Sequence, residues 1–197
     1  AMHDITRRDL LAASAGGILL PRLPGLLEPN PARKRSIRIA HLTDIHVQPE
    51  KGAAKGMAEA LIHAQSQKDK PNMILTGGDL IMDSLGTDAD RTKLQWELFN
   101  SVLKANAKLP VEHTIGNHDV WGWGARGKYS NERKFGKVWA CEALGLEKPY
   151  RSFDRAGWHF VILDSTHPVE GNGYTARLDD EQFEWLKGDL ASVPKKT

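Results

Sequence analysis

The chain has 197 residues, of which 40% are hydrophobic and 26% charged, enough for a sizeable core and too mixed for a disordered or collagen-like chain. Seven Lys/Arg against three acids in residues 1–40 account for the formal net charge of +2, which leaves the remainder slightly acidic and excludes an electrostatic footprint for nucleic acid. A single cysteine, Cys141, excludes an internal disulfide and reads as a buried free thiol.

The N-terminus reads TRRDLLAASAGGILLPRLPG, a twin arginine followed by an apolar segment too short to span a bilayer. It resembles a twin-arginine export signal, with an ordinary amphipathic first helix as the alternative. Residues 21–36 hold four prolines and a basic cluster and read as a linker. The expected organisation is therefore a signal and linker over 1–36 and one domain over 37–197. The signal implies the export machinery as a partner and a periplasmic or extracytoplasmic location.

From Ile37 the pattern changes. IRIAHLT reads as a strand, and KGMAEALIHAQSQ as a helix with Met57, Leu61 and Ala64 on one face. NMILTG is a second strand. Leu94, Leu98 and Val102 recur every four residues in a second helix, and VEHTIG is a third strand. The order β, α, β, α, β favours parallel strands covered by helices. Beyond Gly124 come a helical stretch near 130–145 and two strands around a turn at Ala156-Gly157, the second of them, HFVILD, apolar enough to be buried. A final helix starts at Asp179, with Gln182 placed as in a capping box and Phe183, Leu186 and Leu190 as its buried face.

Each of the first three strands ends in residues that bind hard or borderline metals. HLTDIH carries Asp44 and His46, LTGGDL carries Asp79, and TIGNHD carries Asn117, His118 and Asp119. Parallel strands place their C-terminal ends along one edge, so clusters far apart in sequence converge there. Singly, Asp44 and Asp79 could be helix caps or turn residues, and Asn117 a left-handed turn. Recurrence in a consistent order is what favours a metal site.

In that order, DIH, GGDL and GNHD resemble the first three motifs of the calcineurin-like metallophosphoesterases over roughly residues 37–190. The resemblance implies a four-layer α/β sandwich of two mixed sheets flanked by helices. It also implies a dinuclear centre of Fe, Mn or Zn: Asp44 and His46 on the first ion, Asp79 bridging, and Asn117 on the second. His118 would face the phosphoryl group, stabilising developing charge or protonating the leaving oxygen, and Asp119 would orient the loop rather than act on substrate. The isolated His and G-H-x-H of the family pattern are absent, so the chain reads as the N-terminal part of a longer enzyme.

The substrate is less determined. The Arg of the protein phosphatase motif is missing, Asp83 falls one place late for a His-orienting acid, and Met82 stands where purple acid phosphatases have a Tyr ligand. What remains is similar to exported phosphodiesterase-like enzymes acting on a small phosphodiester or phosphomonoester. Trp121 or Trp123 could stack on a base and Arg126 bind phosphate, or the loop could simply be packed. His167 reads as a solvated loop histidine or a spare ligand, and His63, His113 and His159 as structural. The alternative to an enzyme is a non-catalytic module that retains metal or phosphate affinity.

Overall fold

A computed structural model describes residues 36–194; the twin-arginine segment and most of the linker lie outside the described residues. Three strands, β1 (Ile39–Leu42), β2 (Met73–Thr76) and β3 (Val111–His113), form a parallel sheet in the order β1-β2-β3. Leu42 pairs with Thr76 and Thr76 with His113, so the strands end level. Helix α1 (Ala53–Gln65) connects β1 to β2, and α2 (Ala89–Asn106) connects β2 to β3. Two short helices follow, α3 (Arg126–Tyr129) and α4 (Val138–Leu144). Two antiparallel pairs, β4 (Arg151–Arg155) with β5 (Trp158–Ile162) and β6 (Thr166–Pro168) with β7 (Tyr174–Ala176), precede α5 (Asp180–Ser192). This is the expected α/β class, with parallel and antiparallel sheets flanked by helices.

The sheet owes its order to burial. Met73 and Ile74 of the central strand are fully buried, and Leu61 of α1 and Phe99 of α2 join Ile74 in one apolar core. Gln65 locks the two helix ends together: its amide donates to Asn106 O at 2.9 Å while its Oε1 accepts from Lys108 N at 2.7 Å.

Two helix faces differ from the sequence expectation for the same physical reason. In α2 the buried residues are Thr92, Gln95, Trp96 and Phe99; of the expected face, Leu98 and Val102 pack against the core as partly buried residues, while Leu94 is 47% exposed. In α5 Gln182 is the buried residue, and Phe183 and Leu190 are 46% and 53% exposed. Each glutamine closes a pair of hydrogen bonds on the backbone of an aspartate. Gln95 accepts from Asp83 N and donates to Asp83 O, and Gln182 does the same with Asp164. A buried amide satisfied in this way turns the helix about its axis, and apolar periodicity does not register it. Asp179 does cap α5, accepting from Gln182 N at 2.8 Å. The reciprocal bond of a capping box is replaced by the bonds from Gln182 to Asp164. The turn at Ala156 and Gly157 has positive φ at both residues, as a two-residue hairpin requires. Strand β5 is half-buried rather than fully buried, because β4 is its only described neighbour.

Candidate metal centre

The level strand ends bring three loops together, and the parallel ladder continues beyond the strands to fasten them. Gly77 N donates to Leu42 O, Asp44 N to Gly78 O, His46 N to Asp79 O and Thr114 N to Thr76 O, all between 2.9 and 3.2 Å. Asp44, His46 and Asp79 each adopt positive φ (54°, 47° and 51°). That conformation is costly for a residue with a side chain and clusters at functional sites. The loops cross where there is no room for a side chain: a Cβ on Gly116 would lie 2.2 Å from Asp79 Oδ1 and 2.3 Å from Asp79 N.

Two overlapping groups of side chains result. Ligand atoms of His46, Asp79 and His118, all half-buried, lie within 4.8 Å of one another. Asp44, Asp79 and Asn117 line one groove of about 220 Å³, together with Thr43, Gly116, Leu163, Ser165 and Thr166. Asp79 belongs to both groups. Its Oδ1 accepts from His118 N at 2.9 Å, and its Oδ2 lies 3.9 Å from His46 Nε2.

The two imidazoles meet edge to face at 4.7 Å, and both turn Nδ1 toward one acceptor, Met82 O, at 2.8 Å for His118 and 3.3 Å for His46. A carbonyl oxygen can only accept, so these contacts keep a proton on Nδ1 and present Nε2 to the site. Asp83 Oδ1 also lies 3.7 Å from His118 Nδ1, although its sequence position is one place late. The main-chain oxygen of Met82 is a site component that sequence reasoning missed, since a carbonyl carries no residue signal. With one imidazole (His46), two carboxylates (Asp44, Asp79) and an amide (Asn117), the residues assigned to metal have the mixed N and O chemistry that suits a hard or borderline cation.

Asp119 sits apart from the groove. It is fully buried and accepts from Leu80 N (2.8 Å), Ile81 N (3.2 Å) and Gly116 N (2.8 Å), which ties the Asp79 loop to the Asn117 loop. Burial pushes its carboxyl up to about 7 against the pull of those three donors. His113, at the end of β3, is also buried; it meets Thr76 Oγ1 at 3.0 Å, and burial with Arg151 nearby pushes it down to about 4.

The aromatic loop after the third cluster is packed. Trp121 is 3% exposed, its Nε1 donates to Thr87 O, and its ring contacts Tyr129 and Trp139. Trp123 is also buried, and Arg126 lies over the Phe135 ring. None of Trp121, Trp123 and Arg126 lines the groove, which corrects their possible reading as a substrate wall. His167 is likewise neither in a loop nor solvated: it is a buried residue of β6 with Nδ1 3.6 Å from Asp179 Oδ2. Burial pushes the half-buried Cys141 thiol up, away from nucleophile chemistry.

Comparison with known proteins points the same way as the geometry. The family model described as calcineurin-like phosphoesterase matches residues 37–196. Among curated proteins, purple acid phosphatase 22 of Arabidopsis thaliana is 28% identical over 74% of this chain and 31% of its own length. Purple acid phosphatase 21 of the same plant is 29% identical over 67% of this chain and 28% of its own length. The chain thus spans about three tenths of the curated relatives it matches. Among the described residues, no helix is long and apolar enough to cross a membrane.

Proposed function

The chain belongs to the calcineurin-like phosphoesterase family, and from that premise we propose that it is a hydrolase of small phosphomonoesters or phosphodiesters working at a two-metal centre. Asp44 and His46 would hold one ion and Asn117 the other, with Asp79 between them as the residue both would share. When bound, such a pair of ions supplies a hydroxide nucleophile near neutral pH and neutralises phosphate oxygens. The observation that carries this reading is the shared position of Asp79, common to the His46–His118 cluster and to the groove with Asp44 and Asn117.

The protein's own residues supply the rest. His118 N–H fixes Asp79 Oδ1 and so sets the direction of the carboxylate. The His118 ring, anchored through Nδ1 on Met82 O and near Asp83, directs Nε2 at the phosphoryl group. When Nε2 also carries a proton, the ring would stabilise developing charge there or pass the Nε2 proton to the leaving oxygen, keeping the Nδ1 proton on Met82 O. Asp119 keeps the two loops in register from below and touches no substrate. Export by the twin-arginine route fits a protein whose metals are loaded while it folds, with the periplasm as its place of work.

The test is Asp79→Asn, since asparagine tolerates the left-handed backbone as aspartate does. Loss of at least one bound metal per chain, with a drop of 100-fold or more in kcat/KM for p-nitrophenyl phosphate, is the expected outcome. Wild-type protein that holds two metals and binds phosphate without turnover would instead identify a non-catalytic binding module.

A further inference from the structure

The groove has a wall that the three metal motifs do not supply. Leu163, Ser165 and Thr166, between β5 and the start of β6, line it alongside Asp44, Asp79 and Asn117. The hydroxyls of Ser165 and Thr166 make no intramolecular hydrogen bond among the described residues, and Ser165 is exposed. Their backbone is fastened at every step. Gln182 brackets Asp164 N and O at 2.7 and 2.8 Å, Arg177 N donates to Ser165 O at 2.8 Å, and Thr166 N donates to Asp164 Oδ1 at 3.2 Å. Lys137 closes the segment from behind, its ammonium bonded to both Thr166 O and the buried Asp164 carboxylate.

Two free hydroxyls on a rigid backbone are preorganised donors, so little ordering entropy opposes their use. Among the described residues, no lysine or arginine lines the groove. Beside the carboxylates of Asp44 and Asp79, and apart from His118, a phosphoester therefore meets only neutral donors for the oxygens that the metals leave uncovered. We propose that Ser165 and Thr166 bind the phosphoryl oxygens of the substrate through their hydroxyls and set its orientation; this rests on the phosphoesterase reading of the same groove.

The test compares wild type, Ser165→Ala/Thr166→Val and Ser165→Thr, each loaded with metal. Inorganic phosphate is titrated calorimetrically, and p-nitrophenyl phosphate gives kcat and KM. Hydrogen bonds from neutral donors to a charged oxygen are each worth roughly tenfold. The double variant is expected to weaken phosphate binding and raise KM by 10-fold or more, with metal content and melting temperature unchanged and kcat within about 3-fold. Ser165→Thr, which keeps both hydroxyls, should stay close to wild type. Equal phosphate affinity and KM in the double variant and in an active wild type would overturn the role of Ser165 and Thr166 alone. Metal-loaded wild type that neither binds phosphate nor hydrolyses the ester would overturn both this role and the function it rests on.

Discussion

Strain at single residues is part of how the metal centre is held. Asp44, His46 and Asp79 occupy a backbone region that costs roughly 1 kcal/mol or more for each residue with a Cβ. They stay there because Asp119 pins the neighbouring loops and because Gly116 lets the Asp79 backbone pass. Gly116→Ala places a methyl group 2.2 Å from Asp79 Oδ1, against backbone that cannot retreat. We expect at least a tenfold loss of metal affinity and a destabilisation of about 2 kcal/mol, read by metal titration and urea unfolding. Gly127→Ala, where nothing lies within 4 Å of the added Cβ, is the matched control and should change neither. Asp44, His46, Asp79, Asn117 and His118 were legible as candidates because three successive strand ends carry metal-binding residue types in a consistent order. Ser165 and Thr166 were not, since isolated hydroxyls are frequent and only the fold brings this pair to the groove. Met82 O could not be read at all, as every residue has a carbonyl.

Between elements, the connections that shape the groove are polar. Lys137, just before α4, reaches Asp164 in the link between β5 and β6, and the pair is nearly enclosed, with side chains 15% and 4% exposed. Such a pair contributes little net stability over an apolar replacement, but removing one partner strands the other charge. Lys137→Met is therefore expected to cost about 3 kcal/mol in urea unfolding, and Lys137→Met/Asp164→Leu to recover a large part of it. Equal stabilities for the single variant and wild type would show that the pair does not hold the segment. The same polar logic explains what the sequence hid at this scale. The β-α-β-α-β order and the Ala156-Gly157 turn were readable from period and turn chemistry. The face of α5, and the buried centre of the α2 face, were not, because each is set by a glutamine that hydropathy places on the solvent side. The packing of Trp121 and Trp123 was equally hidden, since an exposed stacking ring and a buried one look alike in sequence.

For the whole molecule, two buried groups pull stability in opposite directions as pH changes. His113 has a folded-state pKa of about 4 against an ordinary 6.5, so as pH falls from 6.5 to 4 the unfolded chain takes up a proton that the folded chain refuses. Stability from this group is present above 6.5 and lost toward 4, by about 3 kcal/mol at most. Asp119 has a folded-state pKa of about 7 against 3.8, so the folded chain is the better proton acceptor between those values. Its contribution is present below 3.8 and lost as pH rises toward 7. The windows overlap from 4 to 6.5, where the two slopes offset each other. His159, raised by its bonds to Asp189 and Asp154, acts above 6.5, and Asp189, lowered, acts below 3.8, so neither enters that range. Urea unfolding with a chelator present, between pH 4 and 6.5, should find wild-type stability nearly flat. His113→Gln should lose stability as pH rises, exposing the Asp119 slope, and Asp119→Asn should gain it, exposing the His113 slope. Parallel slopes in all three proteins would mean that burial at the end of β3 and beneath the Asp79 loop does not govern how this fold responds to acid.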